Sequence, residues 1–267
     1  MNEASEILIK EKSSKGILRL TMNNLDQKNA LSETMISILK DELEEASTDQ
    51  SIRVIVLAAN GNVFCLGHDL KEITSARENQ DNGHAFFQRL SDHCSILMQL
   101  IVNSPQPVIA EVDGIATAAG CQLVASCDLA IASTESKFAT PGVNIGLFCS
   151  TPMVALSRNV QKKNAMEMLL TGDFINAEKA KEIGLINNLV EKDDLSEEVN
   201  ILAEKIASKS SMTVSIGKKA FYAQADMDLS EAYKYTSKIM SDNLLKDDAK
   251  EGIDAFIEKR KPDWKDK

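Results

Sequence analysis

The chain has 267 residues, 43% hydrophobic and 26% charged, enough for one large globular body or one body with an appendage. Its net charge of -10 leaves no basic face for nucleic acid, although an anionic small molecule needs only a few local cations or helix N-termini. No apolar run approaches the roughly 20 residues that span a bilayer, and the opening "MNEASEILIKEKSSKG" lacks the signature of a signal or transit peptide, so no membrane is expected as a partner and the expected location is cytoplasmic.

"GILRLTMNN" (16–24) reads as a strand ending in a polar turn. The helix predicted over "ALSETMISILKDELEEAS" buries Met35, Ile38, Leu39, Leu43 and Ala46 at helical spacing, with Glu33 in the first turn where the helix dipole favours it. "RVIVLAAN", "PVIAEVDG" and "CDLAIAS" are short apolar runs of the kind covered on both faces, and "TAAGCQLVAS" between the last two reads as a helix. "RNVQKKNAMEMLLTG" is a predicted helix closed by Gly172. Later segments are mostly helical, up to "AKEGIDAFIEKRKPDW", which Pro262 is expected to end. This alternation predicts an α/β body over residues 1–200 and a helical part over 201–267. Cysteines 65, 94, 121, 127 and 149 have no C-x-x-C spacing and suit reduced, buried thiols better than a disulfide framework or a metal site.

Two stretches carry candidate chemistry. In "GNVFCLGHDLKEI" (61–73) an apolar run and Gly67 lead into a new amphipathic start, and in "DGIATAAGCQLVASC" Ala118, Ala119 and Gly120 stand at a helix start behind a strand. Small residues at a helix start leave backbone N–H groups free to meet a ligand oxygen, and two such starts together would hold one oxyanion between two donors. A plain turn is the alternative for the first stretch taken alone.

"VFCLGHDLKE", "DGIATAAGCQLVASCDLAIAS" and "FATPGVNIGL" in this order, with "QKNALS" upstream and "EGIDAFIEKRKPDW" near the end, resemble the crotonase (enoyl-CoA hydratase/isomerase) superfamily over roughly residues 7 to 264. The resemblance implies an α/β spiral of ββα units with a helical C-terminal trimerisation region, assembled as a homotrimer or a dimer of trimers (a homohexamer). It implies an acyl-CoA thioester as ligand, with no other cofactor and no metal. Matched residue by residue, the oxyanion donors fall on the backbone N–H groups of His68 and Ala119, with Gly67 and Gly120 beside them. Lys28 and Ala30 match the adenine side, Lys259 lies near the CoA phosphates, and Gly67, Asp69 and Leu70 belong to the binding loop, which Asp69 is expected to hold through N–H bonds.

The departures from the pattern bear on the reaction. Where hydratases of the family carry two glutamates, this chain has Gln122 and Gly142, neither of which exchanges a proton at neutral pH. A positioned acid or base is typically worth about 10²–10⁴-fold, so ordinary hydration is not expected. Cys149, Ser150 and Thr151 offer no carboxylate further on. Glu111 is read as a paired structural acid rather than a catalytic one and Asp128 as structural; His84 and His93 lie on a helix that in the family often covers the acyl pocket, where His93 beside Cys94 is a possible base but a surface or satisfied core histidine is the favoured reading. Three readings stay open: an enzyme of lyase or isomerase lineage in acyl-CoA metabolism with a thioester reaction other than hydration (hydrolysis, isomerisation or decarboxylation), or hydration by a non-standard acid–base pair; a catalytically weak acyl-CoA-binding or regulatory protein; and an oligomeric scaffold.

Overall fold

A computed structural model describes residues 7–267. The first six residues of the opening stretch, on which the reading of no leader partly rests, lie outside the described residues. Strand β1 (Leu8–Lys12), which the sequence reading did not anticipate, buries one side chain and pairs antiparallel with β2 (Ile17–Met22), Leu8 opposite Met22. Helix α1 (Glu33–Thr48) is capped by the Ser32 hydroxyl, which accepts from the Met35 N–H. Its buried face is Met35, Ile36, Leu39, Leu43 and Ala46, so Ile36 takes the place predicted for Ile38, which is half-buried against the same core.

A long strand, a short strand and a helix then repeat. β3 (Val54–Ala59), β4 (Val63–Cys65) and α2 (Leu70–Ala76) form one unit, extended by α3 (His84–Asn103). β5 (Val108–Val112), β6 (Ile115–Thr117) and α4 (Ala119–Ser126) form the next, and β7 (Leu129–Ser133) and β8 (Lys137–Ala139) begin a third. β2, β3, β5, β7 and the short β10 (Asn188–Val190) run parallel in a six-stranded sheet ordered β1-β2-β3-β5-β7-β10, with β1 antiparallel at its edge; β4, β6 and β8 run parallel in a four-stranded sheet ordered β4-β6-β8-β9, with β9 (Ile175–Asn176) antiparallel at its edge. The apolar runs alternate between two cores. Ile55, Leu57, Ala110, Val112 and Ala132 join the main core with α1 and α3. Val54, Val56, Ile109 and Ile131 meet Leu195, Val199, Ala203 and Ala207 of α8 (Leu195–Ala207). Burying each Val, Leu or Ile among them contributes about 1.5–3 kcal/mol, an alanine less. The division expected at residue 200 falls within α8, which packs on the sheet along its length.

The segment 158–172 is not one helix. α5 (Pro152–Asn159) and α6 (Lys162–Thr171) meet at Val160 and Gln161, which are extended, and Gly172 closes α6 in the left-handed conformation. α7 (Ala177–Glu182) leads to β10. Beyond α8 come α9 (Ser211–Gln224), α10 (Leu229–Leu244) and α11 (Asp247–Glu258). α9 is tied to the body by Lys218, whose ammonium reaches Asp128 at 2.7 Å and the Ile101 and Gln106 carbonyls at 2.9 Å. Asp128 also accepts from the Tyr222 hydroxyl and the Val108 N–H, which bears out its structural reading. α11 stops at Lys259, whose φ is +56°, before Pro262 is reached. The tail then folds back: Trp264 donates to the Ser208 carbonyl, and the Lys265 and Asp266 N–H groups donate to Asp248.

Candidate active site

The first loop follows β4. Gly67 has φ +95°, a conformation few side chains tolerate, and its carbonyl accepts from the Leu31 N–H at 2.8 Å. His68 comes next, half-buried, with Nδ1 3.1 Å from the Leu31 carbonyl. Because a carbonyl only accepts, that contact puts the ring hydrogen on Nδ1. Burial pushes the imidazole pKa below its ordinary value, against an upward pull from the Leu31 carbonyl, so the ring is neutral at neutral pH. Asp69 caps α2 by accepting from the Lys71 N–H at 2.7 Å, as expected. Leu70 is exposed.

The second loop follows β6, which is parallel to β4. Ala118 is held at φ +50° and ψ -118°, a strained conformation for an alanine, by its N–H bond to the Ala139 carbonyl and the burial of its neighbours. Ala119 is the first residue of α4, a helix buried along its whole length.

The loops meet. A Cβ built on Gly67 would stand 3.2 Å from the Ala119 nitrogen and 2.9 Å from the Ala118 Cβ, and one on Gly120 would collide with the Cys65 carbonyl. The Thr117 hydroxyl donates to the Leu66 carbonyl at 3.0 Å, tying one loop to the other. Neither the His68 nor the Ala119 N–H is taken by a hydrogen bond among the described residues. The sequence profile described as Enoyl-CoA hydratase/isomerase matches residues 12–267. The chain belongs to the enoyl-CoA hydratase/isomerase family.

Its relatives agree with that membership. The chain is 49% identical to enoyl-CoA hydratase domain-containing protein 3, mitochondrial, of Xenopus laevis, over 93% of this chain and 83% of that protein. It is 35% identical to enoyl-CoA hydratase, mitochondrial, of Pongo abelii, over 98% of this chain and 88% of that protein. Among solved structures, the human enoyl coenzyme A hydratase domain-containing protein 3 superposes with a TM-score of 0.92 at 46% identity, covering 97% of this chain and 100% of that one. The enoyl-CoA hydratase of Mycobacterium smegmatis gives 0.92 at 44% identity, covering 97% and 98%. The crotonase-type α/β architecture with helical C-terminus is thereby shown. The mitochondrial names overturn the cytoplasmic expectation. An organelle address is read by a receptor and leaves no trace in the packing of a fold.

At the two positions where this family resemblance places glutamates, the environments differ. Gln122 lies one turn into α4, on the same face as Ala119, and is only 4% exposed; its amide oxygen is buried without a hydrogen-bond partner among the described residues. Gly142 lies in a 3-10 turn, Pro141–Ile145, and a Cβ there would stand 2.7 Å from the Leu147 carbonyl and 2.9 Å from the Cys149 sulfur. Space for a longer residue at 142 is already filled. The Cys149 thiol is buried, its pKa raised by that burial, and all five cysteines are free and buried as expected.

The remaining sequence-predicted residues divide. Lys28 (exposed, φ +54°) and buried Ala30 lie on the loop that the Leu31–Gly67 bond holds beside the first donor. Lys259 is exposed at the end of α11 and, among the described residues, makes no hydrogen bond or ion pair to either donor loop. Glu111 faces α8 with Ile109, in an ion pair with Arg19 at 2.8 Å, on the far side of the sheet from the donor loops. The contact is close without being an aligned hydrogen bond, since the same carboxylate oxygen has no such partner. His84 is exposed and donates its backbone N–H to the Asp81 carbonyl, His93 is half-buried in the same helix, and neither imidazole makes a hydrogen bond among the described residues. Two surface concavities of about 360 and 190 Å³ lie elsewhere, lined by residues such as Arg53 and Glu204 or Met168 and Phe174, and neither includes a donor-loop residue.

Sequence reasoning missed three groups. Asn29 pins the loop before Leu31 by donating to the Asn60 and Val63 carbonyls. Glu72 is a half-buried carboxylate next to the donor loop, accepting from the Glu33 N–H; burial raises its pKa above the ordinary value, and the charges of Asp69 and Glu33 add to that. The third is the ring of His68, whose backbone N–H alone is assigned a role by the resemblance; a histidine directly after the glycine was the available signal.

Proposed function

We propose that this family member binds acyl-CoA thioesters, with the thioester oxygen held between the His68 and Ala119 N–H groups, and that it does not carry out ordinary enoyl-CoA hydration. The observation that carries this reading is the approach of Gly67 to the Ala119 nitrogen, which sets two free donors from two helix starts side by side. The unpartnered amide of Gln122 and the filled space at Gly142 speak against a carboxylate acid–base pair there. Lys28, Ala30, Asp69, Leu70 and Lys259 are proposed to contact the CoA moiety or hold its loop, and the working location is mitochondrial, as the relatives are named.

A homo-oligomer, trimer or dimer of trimers, is proposed through the C-terminal helices. α10 buries none of its residues, while Leu245 and Phe256 are 86% and 85% exposed, an arrangement a second copy would cover.

The test pairs binding with turnover. Crotonyl-CoA should raise the melting temperature of the purified protein, and the loss of its enoyl absorbance should stay far below the usual enzyme range of about 1–10³ per second. Turnover within that range would overturn the exclusion of hydration, and a melting temperature unmoved by any acyl-CoA would leave the scaffold reading.

A further inference from the structure

We propose that the imidazole of His68 is the proton-transfer base of this site: Leu31 holds Nδ1–H, and the Nε2 lone pair takes a proton from the α-carbon of a thioester whose oxygen lies between the His68 and Ala119 N–H groups. The role rests on acyl-thioester binding at that donor pair.

The geometry is a clamp. Leu31 grips the loop through its N–H bond to the Gly67 carbonyl at 2.8 Å and the ring through its own carbonyl at 3.1 Å, so the imidazole cannot turn without losing a bond to the residue that fixes the loop. A base oriented by a hydrogen bond on its other nitrogen is the arrangement proton transfer requires. Nε2 has no partner among the described residues. Covalent geometry keeps it within roughly 6 Å of the N–H of its own residue, the span of an oxyanion, its carbonyl carbon and the α-carbon. The lowered pKa of the buried ring keeps the basic form populated at neutral pH.

The step balances without a co-reactant. The Nε2 lone pair takes the α-proton, the C–H electron pair becomes the carbon–carbon double bond of the enolate, and the carbonyl π pair moves onto the oxygen between the two N–H groups. Reversal returns a proton from the imidazolium to carbon. In deuterated water the thioester therefore gains deuterium at the α-carbon with no other change. Glu72, the nearby carboxylate, is the competing base.

The experiment follows deuterium uptake into butyryl-CoA by mass spectrometry, with binding measured in parallel by calorimetry. His68→Asn keeps a side-chain N–H able to reach the Leu31 carbonyl and removes the second ring nitrogen. It should bind butyryl-CoA within about threefold of the wild type, and uptake should fall by about 10²–10⁴-fold, the usual worth of a positioned base. Glu72→Gln should exchange within a few-fold of the wild type. The role of His68 is overturned if His68→Asn exchanges as the wild type does, if Glu72→Gln alone abolishes uptake, or if the wild type binds butyryl-CoA and never exchanges it. Absence of binding by the wild type would overturn the thioester reading and this role with it. A His68→Asn protein that does not fold moves the test to His68→Gln, which carries the same expectation.

Discussion

At Gln122 the buried amide oxygen has no partner, so a carboxylate placed there would be buried without a cation or donor to support its charge. Its pKa would rise, since desolvation disfavours the charged form. A group whose folded pKa lies above its unfolded value destabilises the fold progressively as pH climbs past the unfolded value of about 4.3. Gln122→Glu should therefore lose more stability at pH 8 than at pH 5, seen as a larger gap from the wild type in urea midpoint. Gly142→Glu should behave differently. Its Cβ meets the Leu147 carbonyl and the Cys149 sulfur whatever the pH, and overpacking of this kind costs about 1–3 kcal/mol. Equal gaps at both pH values for Gln122→Glu, or a Gly142→Glu protein as stable as the wild type, would show that these sites are roomier than they look. Restoring two glutamates is thus not expected to restore hydration. The sequence showed that the acids were absent; that one vacated position had closed rests on the backbone path of residues 142–149, which side-chain identities do not encode.

Among the elements, α9 depends on a polar anchor more than on packing. Lys218 is almost fully buried, and burial lowers its pKa while the neighbouring Asp128 pulls it back up. Removing one partner of such a pair strands the other, at a cost of about 3–5 kcal/mol. Lys218→Met should fall in that range by urea unfolding, with the loss concentrated in the docking of α9. A cost below about 1 kcal/mol would mean that Tyr222 and the Val108 N–H suffice for Asp128. Asp128 reads as structural from its place before a strand, yet its partners come from α9, a separation no local pattern reveals. The same limit explains which strands were legible. β3, β5 and β7 are five- or six-residue apolar runs and stand out, whereas β4, β6 and β8 are three residues each, too short for a period to show. Those short strands are what carry the donor loops to each other, so the meeting of Gly67 with Ala119 was visible only through resemblance.

For the whole molecule, the C-terminal tail links the last helices to the body, bonding to Asp248 of α11, to Ser211 of α9, and to Ser208 and Arg53. Asp248 is 2% exposed and receives the Lys265 N–H at 2.7 Å and the Asp266 N–H at 3.0 Å, while Asp266 accepts from the Ser211 N–H and from Arg53. Burial alone would raise the Asp248 pKa, but the Ser210 hydroxyl, the two backbone donors and the Arg53 charge outweigh it and leave the carboxyl below its usual value of 3.8. A carboxyl with a depressed folded pKa adds stability that is complete above its unfolded pKa and is lost as pH falls through the folded one. The tail should therefore hold above about pH 4 and loosen below it. Trp264, the single tryptophan of the chain, donates to the Ser208 carbonyl and lies against Gly252, so its fluorescence reports the tail directly. Its emission should shift to the red on acidification below pH 4, before circular dichroism records loss of the sheet. Asp248→Asn should show the shifted emission already at pH 7, because a neutral amide accepts the two N–H bonds more weakly than a carboxylate. Emission and dichroism that change together in the wild type would mean that the tail and the body unfold as one unit, and Asp248 would then be one anchor among many.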